Sequence, residues 1–505
     1  MSRLPVIAGF GGYNAAGRSS AHHAFRRMIL ESLDEQQRQQ TLAGLAVMMK
    51  LVKVVDGQYQ THSGNPLSLA ELEKQFTGQI IAGTLIRRIE KNHLDVDAAP
   101  WQKNLNLTGT AGKPLEFITL RKHLPEPLPS DWIVEPLNET DVQVTLYDGC
   151  DIKVDSFRAL PVKSAGQLPS GFEPGELYAS RFHPRGLQMA VVAATDALRS
   201  TGIEWSSILE HVAPDEVAVF ASSIMSQLDE HGFGGLMQSR LKGGRVSAKQ
   251  LALGLNSMPA DFINAYVLGS VGTTGSITGA CASFLYNLQK GIEQIANGQA
   301  RVVLVGNSEA PINQECIDGY GAMGALATEE GLRKIEGKQP SDPSEVDWRR
   351  ASRPFGQNCG FTLAESAQFV VLMDDALALQ LGAEVHGTVT DVFINADGFK
   401  KSISAPGPGN YLTLAKAVAS ATQLFGGEAV RQRSFVHAHG SSTPANRVTE
   451  SELLDRVAAA FGIEAWPVTA VKAFVGHSLA PASGDQLISA LGTFHHGLLP
   501  GLKTI

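Results

Sequence analysis

The 505-residue sequence predicts an α/β protein layered around a buried sheet, and three observations lead there. From Pro184 onward, segments with apolar residues at helical spacing (Pro184–Ser200, Phe284–Ala296, Ala376–Gly382, Asn410–Ala421 and Glu450–Phe461) alternate with short Val/Ile-rich runs (Val217–Ala221, Val302–Val305, Phe369–Leu372 and Val385–Val392). Leu4–Phe10 reads as a further buried strand at the start of the chain. Apolar residues make up 43% of the sequence and charged residues 18%, the balance of an ordinary globular chain rather than a disordered one.

Taken in order, the first strand runs into Gly9-Phe10-Gly11-Gly12-Tyr13-Asn14, a glycine-rich turn. A dinucleotide reading fails there, because the third glycine of G-x-G-x-x-G would fall on Asn14. Ala24–Leu51 is an amphipathic helix candidate, and His22-His23 before it reads as a solvated pair rather than a metal pair. A polar turn at His62-Ser63-Gly64-Asn65-Pro66 and the proline-rich Leu124–Pro129 follow, and no chemistry is legible in this stretch. Several function classes drop out on composition. A formal charge of −8 argues against a nucleic-acid surface, and four cysteines in so long a chain make neither a disulfide framework nor a zinc spacing. No apolar run reaches membrane-spanning length and the N-terminus lacks signal-peptide character, so the expectation is a soluble cytoplasmic protein without membrane insertion.

The chemistry concentrates in three later segments. Thr278-Gly279-Ala280-Cys281-Ala282-Ser283 lies between a small, β-branched run (Val271–Ile277) and a helix beginning at Phe284. A thiol at a helix start feels the positive end of the backbone dipole, which favours the thiolate a nucleophile needs. A lone cysteine is more often plain packing. The second segment, Val436–Glu450, carries His437, His439, Ser441, Thr443 and Glu450; the third, Val471–Ser478, carries Lys472 and His477. Each follows a short β-like run and turns into a Gly-containing loop, the place where a scaffold presents functional groups. His437, two residues from His439, faces the other way on a strand and reads as structural.

These segments resemble those of the β-ketoacyl-acyl carrier protein synthases, the elongating Cys-His-His condensing enzymes. That family has a T-A-C-A-type nucleophile loop, an H-G-T-x-T-P loop with a glutamate eleven residues after the histidine, and K-x-x-x-G-H. Here stand Cys281, His439 with Glu450 (450 − 439 = 11), and Lys472 with His477 (477 − 472 = 5). Arg301–Ala310, Arg353-Pro354-Phe355 and Gly360–Glu365 match the family's supporting segments in the same order. The resemblance implies a thiolase-like duplicated fold of five αβαβα layers: an N-terminal half over 1–380 carrying Cys281, and a C-terminal half over 381–505 carrying His439, Lys472 and His477. An insertion over about 20–175 separates the first strand from the helix at Pro184, which resembles a longer, divergent FabY-type group of bacterial condensing enzymes that initiates fatty-acid synthesis from an acetyl primer.

By this resemblance Cys281 takes the acyl group from an acyl-CoA or acyl-carrier-protein primer. His439 and His477 stabilise the enolate left when malonyl-carrier protein loses CO2, and Lys472 and Glu450 form an ion pair that organises the histidine loops. Ser441 and Thr443 match hydroxyls that bind the pantetheine arm, although both residue types also satisfy loop backbone on their own. No metal and no resident cofactor are implied, since phosphopantetheine arrives on the carrier. The partner implied is acyl carrier protein, which is acidic, and Arg240, Lys242, Arg245 and Lys249 form a basic docking candidate, with Arg181 and Arg185 as a second. A homodimer follows from the family alone. Three departures stand out: Ser441 stands where the family usually has Thr, the family's glutamate after the second histidine falls at Gln486, beside Asp485, and Leu499–Ile505 resembles a segment after which the family still has two strands, so the C-terminal half is expected to be incomplete at its C-terminus. A polyketide-type ketosynthase shares the same residues, while a non-catalytic scaffold would be expected to lack Cys281.

Overall fold

In the computed structural model, which describes residues 3–110, 112–339, 341–398 and 406–502, the first strand is longer than the sequence suggests. β1 (Pro5–Asn14) runs through the glycines instead of turning at them. A Cβ at Gly11 would overlap the backbone nitrogen of Ala197, so this glycine lets helix α1 (Arg185–Arg199) lie directly on the strand. The α1 face that meets β1 is rich in alanine for the same reason, with Ala190, Ala193, Ala194 and Ala197 buried.

The main sheet also holds β2 (Val217–Ser222), β3 (Thr274–Gly275), β4 (Val302–Glu309), β5 (Ser366–Asp374) and β6 (Gly387–Thr388), in the order β3-β2-β4-β5-β1-β6, and the short strand Gly17–Arg18 pairs with the end of β1 off that path. β2 is parallel to both β3 and β4, whereas β5 pairs antiparallel with β4 and with β1. Every residue of β2, β4 and β5 is buried, as expected of central strands covered on both faces. Helix α2 (Ser283–Ala296) packs under the sheet and against α4 (Ala482–His496), with Phe284, Leu288, Val303, Val305, Ile488 and Leu491 in one core. A Cβ on Gly484 would come within 2.9 Å of the Phe284 ring, so these two buried helices touch through a glycine. In the C-terminal part, β7 (Val436–His437) and β8 (Val468–Thr469) form a parallel pair, with α3 (Pro444–Phe461) between them in sequence.

Several expectations need correction. Ala24–Leu51 is two helices, His23–Met28 and Glu35–Met48, separated by the tight turn Leu30–Ser32, and Asp34 starts the second as its N-cap by accepting from the Gln37 amide at 2.7 Å. Val271–Ile277 pairs only over β3, and Val385–Val392 only over β6, where Val6 and Ile7 of β1 supply partners. His22-His23 is not solvated. Each is 6% exposed, His23 bonding the Thr41 carbonyl and His22 stacked among other rings. The expectation that two strands are missing after the Leu499–Ile505 segment finds no support here, and residues 503–505 lie outside the described ones.

Residues 90–160 form a compact unit of their own. A ribbon pairs Ala99–Leu107 with Cys150–Arg158, and a three-stranded sheet sets Asp141–Leu146 between Leu115–Leu120 and Trp132–Pro136. Val142, Val144 and Leu146 alternate inward to make its core, a period-2 pattern in the sequence masked by the neighbouring prolines.

Candidate active site

The turn before α2 builds the nucleophile position. Ala280 has a left-handed φ of 50°, and the Ser283 hydroxyl fixes the bend by accepting from the Gly279 amide at 2.9 Å and donating to the Ala280 carbonyl at 2.6 Å. Cys281 thus stands two residues ahead of the first helical residue. Burial pushes its thiol pKa up, the nearby Lys472 ammonium pulls it back, and the carboxyl of Glu309 works against the thiolate. The helix-start argument from the sequence therefore loses to desolvation, and Lys472 supplies the main opposing charge.

Cys281, His439 and His477 meet, with one ligand-type atom from each (Sγ or a ring nitrogen) all within 4.8 Å of one another. The two imidazoles cross edge to face at 5.2 Å. Both are neutral: burial holds each pKa well below the usual histidine value, and the Lys472 charge adds to it. Their hydrogen bonds decide the tautomer. The Leu479 amide donates to His477 Nδ1 at 3.0 Å, so the ring proton sits on Nε2. Lys472 Nζ lies 3.4 Å from His439 Nδ1, and an ammonium can only donate, so His439 also carries its proton on Nε2. The site is a thiol beside two aimed N–H donors.

Three supports hold the loops. Glu450 accepts from the His439 amide at 2.5 Å, the Gly440 amide at 2.7 Å and the Asn446 side chain at 3.0 Å. Lys472, 1% exposed, donates to the His439 carbonyl at 2.7 Å. The expected Lys472–Glu450 ion pair is thus replaced by two groups gripping opposite sides of one loop backbone, because Glu450 spends its oxygens on amides. The third is the Gly360–Glu365 segment: the His477 amide donates to the Thr362 carbonyl at 2.7 Å, and the Ala364 amide to the His477 carbonyl at 3.0 Å. Arg353 joins here, its amide donating to Ser442 Oγ at 2.8 Å.

Other expectations fare differently. Ser441 and Thr443 are buried, share a 3.1 Å hydroxyl contact, and Thr443 caps α3 by accepting from the Asn446 amide. Gln486 donates to the His437 and Ala438 carbonyls, so the position holds backbone and has no charge role. Arg185 is not a free surface cation: it pairs with buried Glu365 at 2.5 Å and with Glu173 at 2.8 Å. Arg240, Lys242 and Arg245 are exposed between two short helices, Phe233–Ser239 and Ala248–Gly254, and Lys249 is exposed in the first turn of the second. Arg181 and Lys249 both sit over the Phe182 ring, at 4.7 and 4.9 Å.

Two buried carboxyls escaped sequence reasoning. Asp485 accepts from Asn14, Ser366, Gln368 and Ser478, tying β1 and β5 to the His477 loop. Glu309, at the end of β4, accepts from Ser223 Oγ and the Ile224 and Met225 amides, and burial raises its pKa to about 7. Glu309 lies in the Arg301–Ala310 segment and Asp485 beside Gln486, but no role for either is legible there, because most of their partners come from distant segments.

The comparisons with known proteins agree with this geometry. The family model of the β-ketoacyl synthase N-terminal domain matches residues 158–378, and that of the C-terminal domain matches 386–504. The β-ketoacyl-[acyl-carrier-protein] synthase FabY of Pseudomonas aeruginosa is 72% identical over 505 residues, all of this chain and 79% of that protein. The crystal structure of the noncanonical ketosynthase FabY from P. aeruginosa superposes with a TM-score of 0.97 at 72% identity, covering all of this chain and 78% of that one. A type II polyketide ketosynthase in complex with its acyl carrier protein, 15% identical, shares the fold alone, with a TM-score of 0.57 over 98% of this chain and 86% of that one. A cysteine on a bent turn, two N–H-bearing imidazoles and these matches place the chain in the β-ketoacyl synthase family, on the thiolase-like fold of the condensing enzymes.

Proposed function

We propose that this chain is a β-ketoacyl-acyl carrier protein synthase of fatty-acid biosynthesis, joining an acyl thioester primer, acetyl among them, to malonyl-carrier protein. The observation that carries the reading is the juxtaposition of Cys281 with two neutral imidazoles, both protonated on Nε2. Cys281 attacks the primer carbonyl, the thiol proton leaves with the departing carrier thiol, and an acyl-cysteine forms. The malonyl thioester carbonyl then accepts from His439 and His477. Breaking the carboxylate C–C bond releases CO2 and leaves its electron pair in an enolate held by those two donors. Each such donor is worth roughly 10²–10³ in rate. The enolate carbon attacks the acyl-cysteine carbonyl, whose oxyanion meets the Cys281 amide, and collapse frees the thiolate and the β-ketoacyl product.

In this reading phosphopantetheine comes and goes with the carrier and its hydroxyl contacts are Ser441 and Thr443. Acyl carrier protein docks on Arg240, Lys242, Arg245 and Lys249, an exposed basic loop on a chain of formal charge −8. The enzyme acts in the cytoplasm as a homodimer of two-half subunits, 1–380 and 381–505; no helix of the described residues is long and apolar enough to cross a membrane. The test supplies labelled acetyl-CoA and malonyl-carrier protein and follows CO2 and acetoacetyl-carrier protein by mass. Product that vanishes in Cys281→Ala, a loss on the order of 10⁴-fold or more, is the expected outcome. Failure of every acyl thioester to label Cys281 overturns the reading.

A further inference from the structure

Away from the catalytic cysteine, four of the chain's 14 histidines gather where the first residues of the insertion meet the end of α4. The His22 ring stacks on His495 at 4.4 Å and stands edge-on to His496 at 5.8 Å and His386 at 6.5 Å, while His495 and His496 lie 4.8 Å apart. Phe10 backs His22 and His386, and Phe25 stacks on His496, so aromatic packing orients the rings. Three buried ring nitrogens have no hydrogen-bond partner: His22 Nδ1, His386 Nε2 and His496 Nε2. His22 itself is 94% buried, on a backbone whose φ is 56°, following Ala21 at 51°. A buried polar group without a partner, held on a strained backbone, asks for a ligand.

The chemistry of the group selects that ligand. Burial, reinforced by the neighbouring rings and Arg26, keeps His22 neutral with a pKa of about 3, and burial lowers His386 and His496 as well. Neutral imidazoles are metal ligands. Three of them around one zinc, at about 2.0–2.1 Å from each nitrogen, put their ring centres about 5 Å apart; the two pairs that include His495 lie close to that, and His22 stands wider of His496 and His386. His386 turns Nδ1 toward Glu384 at 3.6 Å while its other nitrogen stays free, the carboxylate–imidazole arrangement that backs metal-bound histidines. His495 and His496 also close the carboxyl end of α4, where the helix dipole favours a cation. Arg26 opposes one from the other side. An all-imidazole set suits late first-row metals and not Mg2+ or Ca2+. Among the described residues only Cys281, His439 and His477 already hold three ligand atoms within 4.8 Å of one another, so this cluster would have to close around an ion, and the exposed His495 is the ring with room to move.

We propose that His22, His386, His495 and His496 form a site for one divalent cation of the Zn2+ class. The experiment titrates Zn2+, and Co2+ as a spectroscopic probe, into metal-stripped full chain carrying Cys281→Ala, which dismantles the competing thiol site. Expected are one ion per chain, cobalt absorption of an imidazole-ligated ion, and a higher melting temperature with zinc. Adding His22→Gln or His496→Gln weakens binding at least about tenfold and abolishes the thermal shift. Should His22→Gln fail to fold, His495→Gln, altering an exposed ring, gives the same reading through loss of affinity. No stoichiometric binding in the Cys281→Ala chain, or binding unchanged by these substitutions, overturns the site.

Discussion

His439 and His477 on one side, His22 and its neighbours on the other, are two groups of histidines that burial has made neutral in the same chain. They differ in what meets their nitrogens. Each ring of the first group has a donor at Nδ1, the Leu479 amide or the Lys472 ammonium, which leaves its proton on Nε2. The second group has Nδ1 or Nε2 atoms that nothing meets. Burial by itself therefore says little about a histidine's work; the partner of the far nitrogen decides whether the near one donates a proton or offers a lone pair.

The widest break in that comparison comes from deleting a catalytic donor. His477→Ala should lower kcat for condensation by roughly 10²–10³, while Cys281 still becomes acylated by primer, measured by rapid-quench mass spectrometry. Equal loss of both steps would mean that His477 does not act through Nε2 on the malonyl carbonyl. Lys472→Met should have the next largest effect, on the order of tenfold or more in condensation, because it frees His439 Nδ1 and removes the charge opposing Cys281 desolvation. Its diagnostic is alkylation of Cys281 against pH: the thiol pKa rises, so the inflection moves to higher pH. An inflection that stays put would assign the thiol's electrostatics elsewhere.

The smallest effect concerns stability. His22 has a folded pKa of about 3 against an ordinary 6.5, so the unfolded chain binds more protons between those values. The stability it contributes is present above 6.5 and is lost as pH falls toward 3, at a limiting slope of about 1.4 kcal/mol per pH unit. Urea unfolding from pH 7 to 4 should show a shallower decline in His22→Gln than in the parent. An unchanged decline would place the acid sensitivity in other groups, His23 first, since its pKa is also about 3.

Much of the candidate site is legible in the chain, and much of its bracing is not. The helices expected at Pro184–Ser200 and Phe284–Ala296 fall within a residue of Arg185–Arg199 and Ser283–Ala296, because local periodicity and short polar ends fix them. The burial of His22-His23 is not legible because two adjacent histidines carry no local sign of it; the rings packed on His22 come from positions 386, 495 and 496, and His23 bonds the Thr41 carbonyl. Arg185 read as a surface cation for the same reason, its carboxylate lying 180 residues away at Glu365.

The sequence by itself determined which segments carry the candidate residues: Cys281 at a strand-to-helix turn, His439 on a loop with Glu450 in the helix that follows it, and Lys472 with His477 beside a glycine, a set singled out by its resemblance to the family's motifs. Those roles are written in local turns, which a chain forms from nearby residues. Only the tertiary structure decided which nitrogen of each imidazole bears the proton, that Glu450 grips amides instead of Lys472, and that Asp485 joins the His477 loop to β1 and β5. Those outcomes depend on desolvation and on donors brought from distant segments, and both come into being when the sheet and its buried helices close around them.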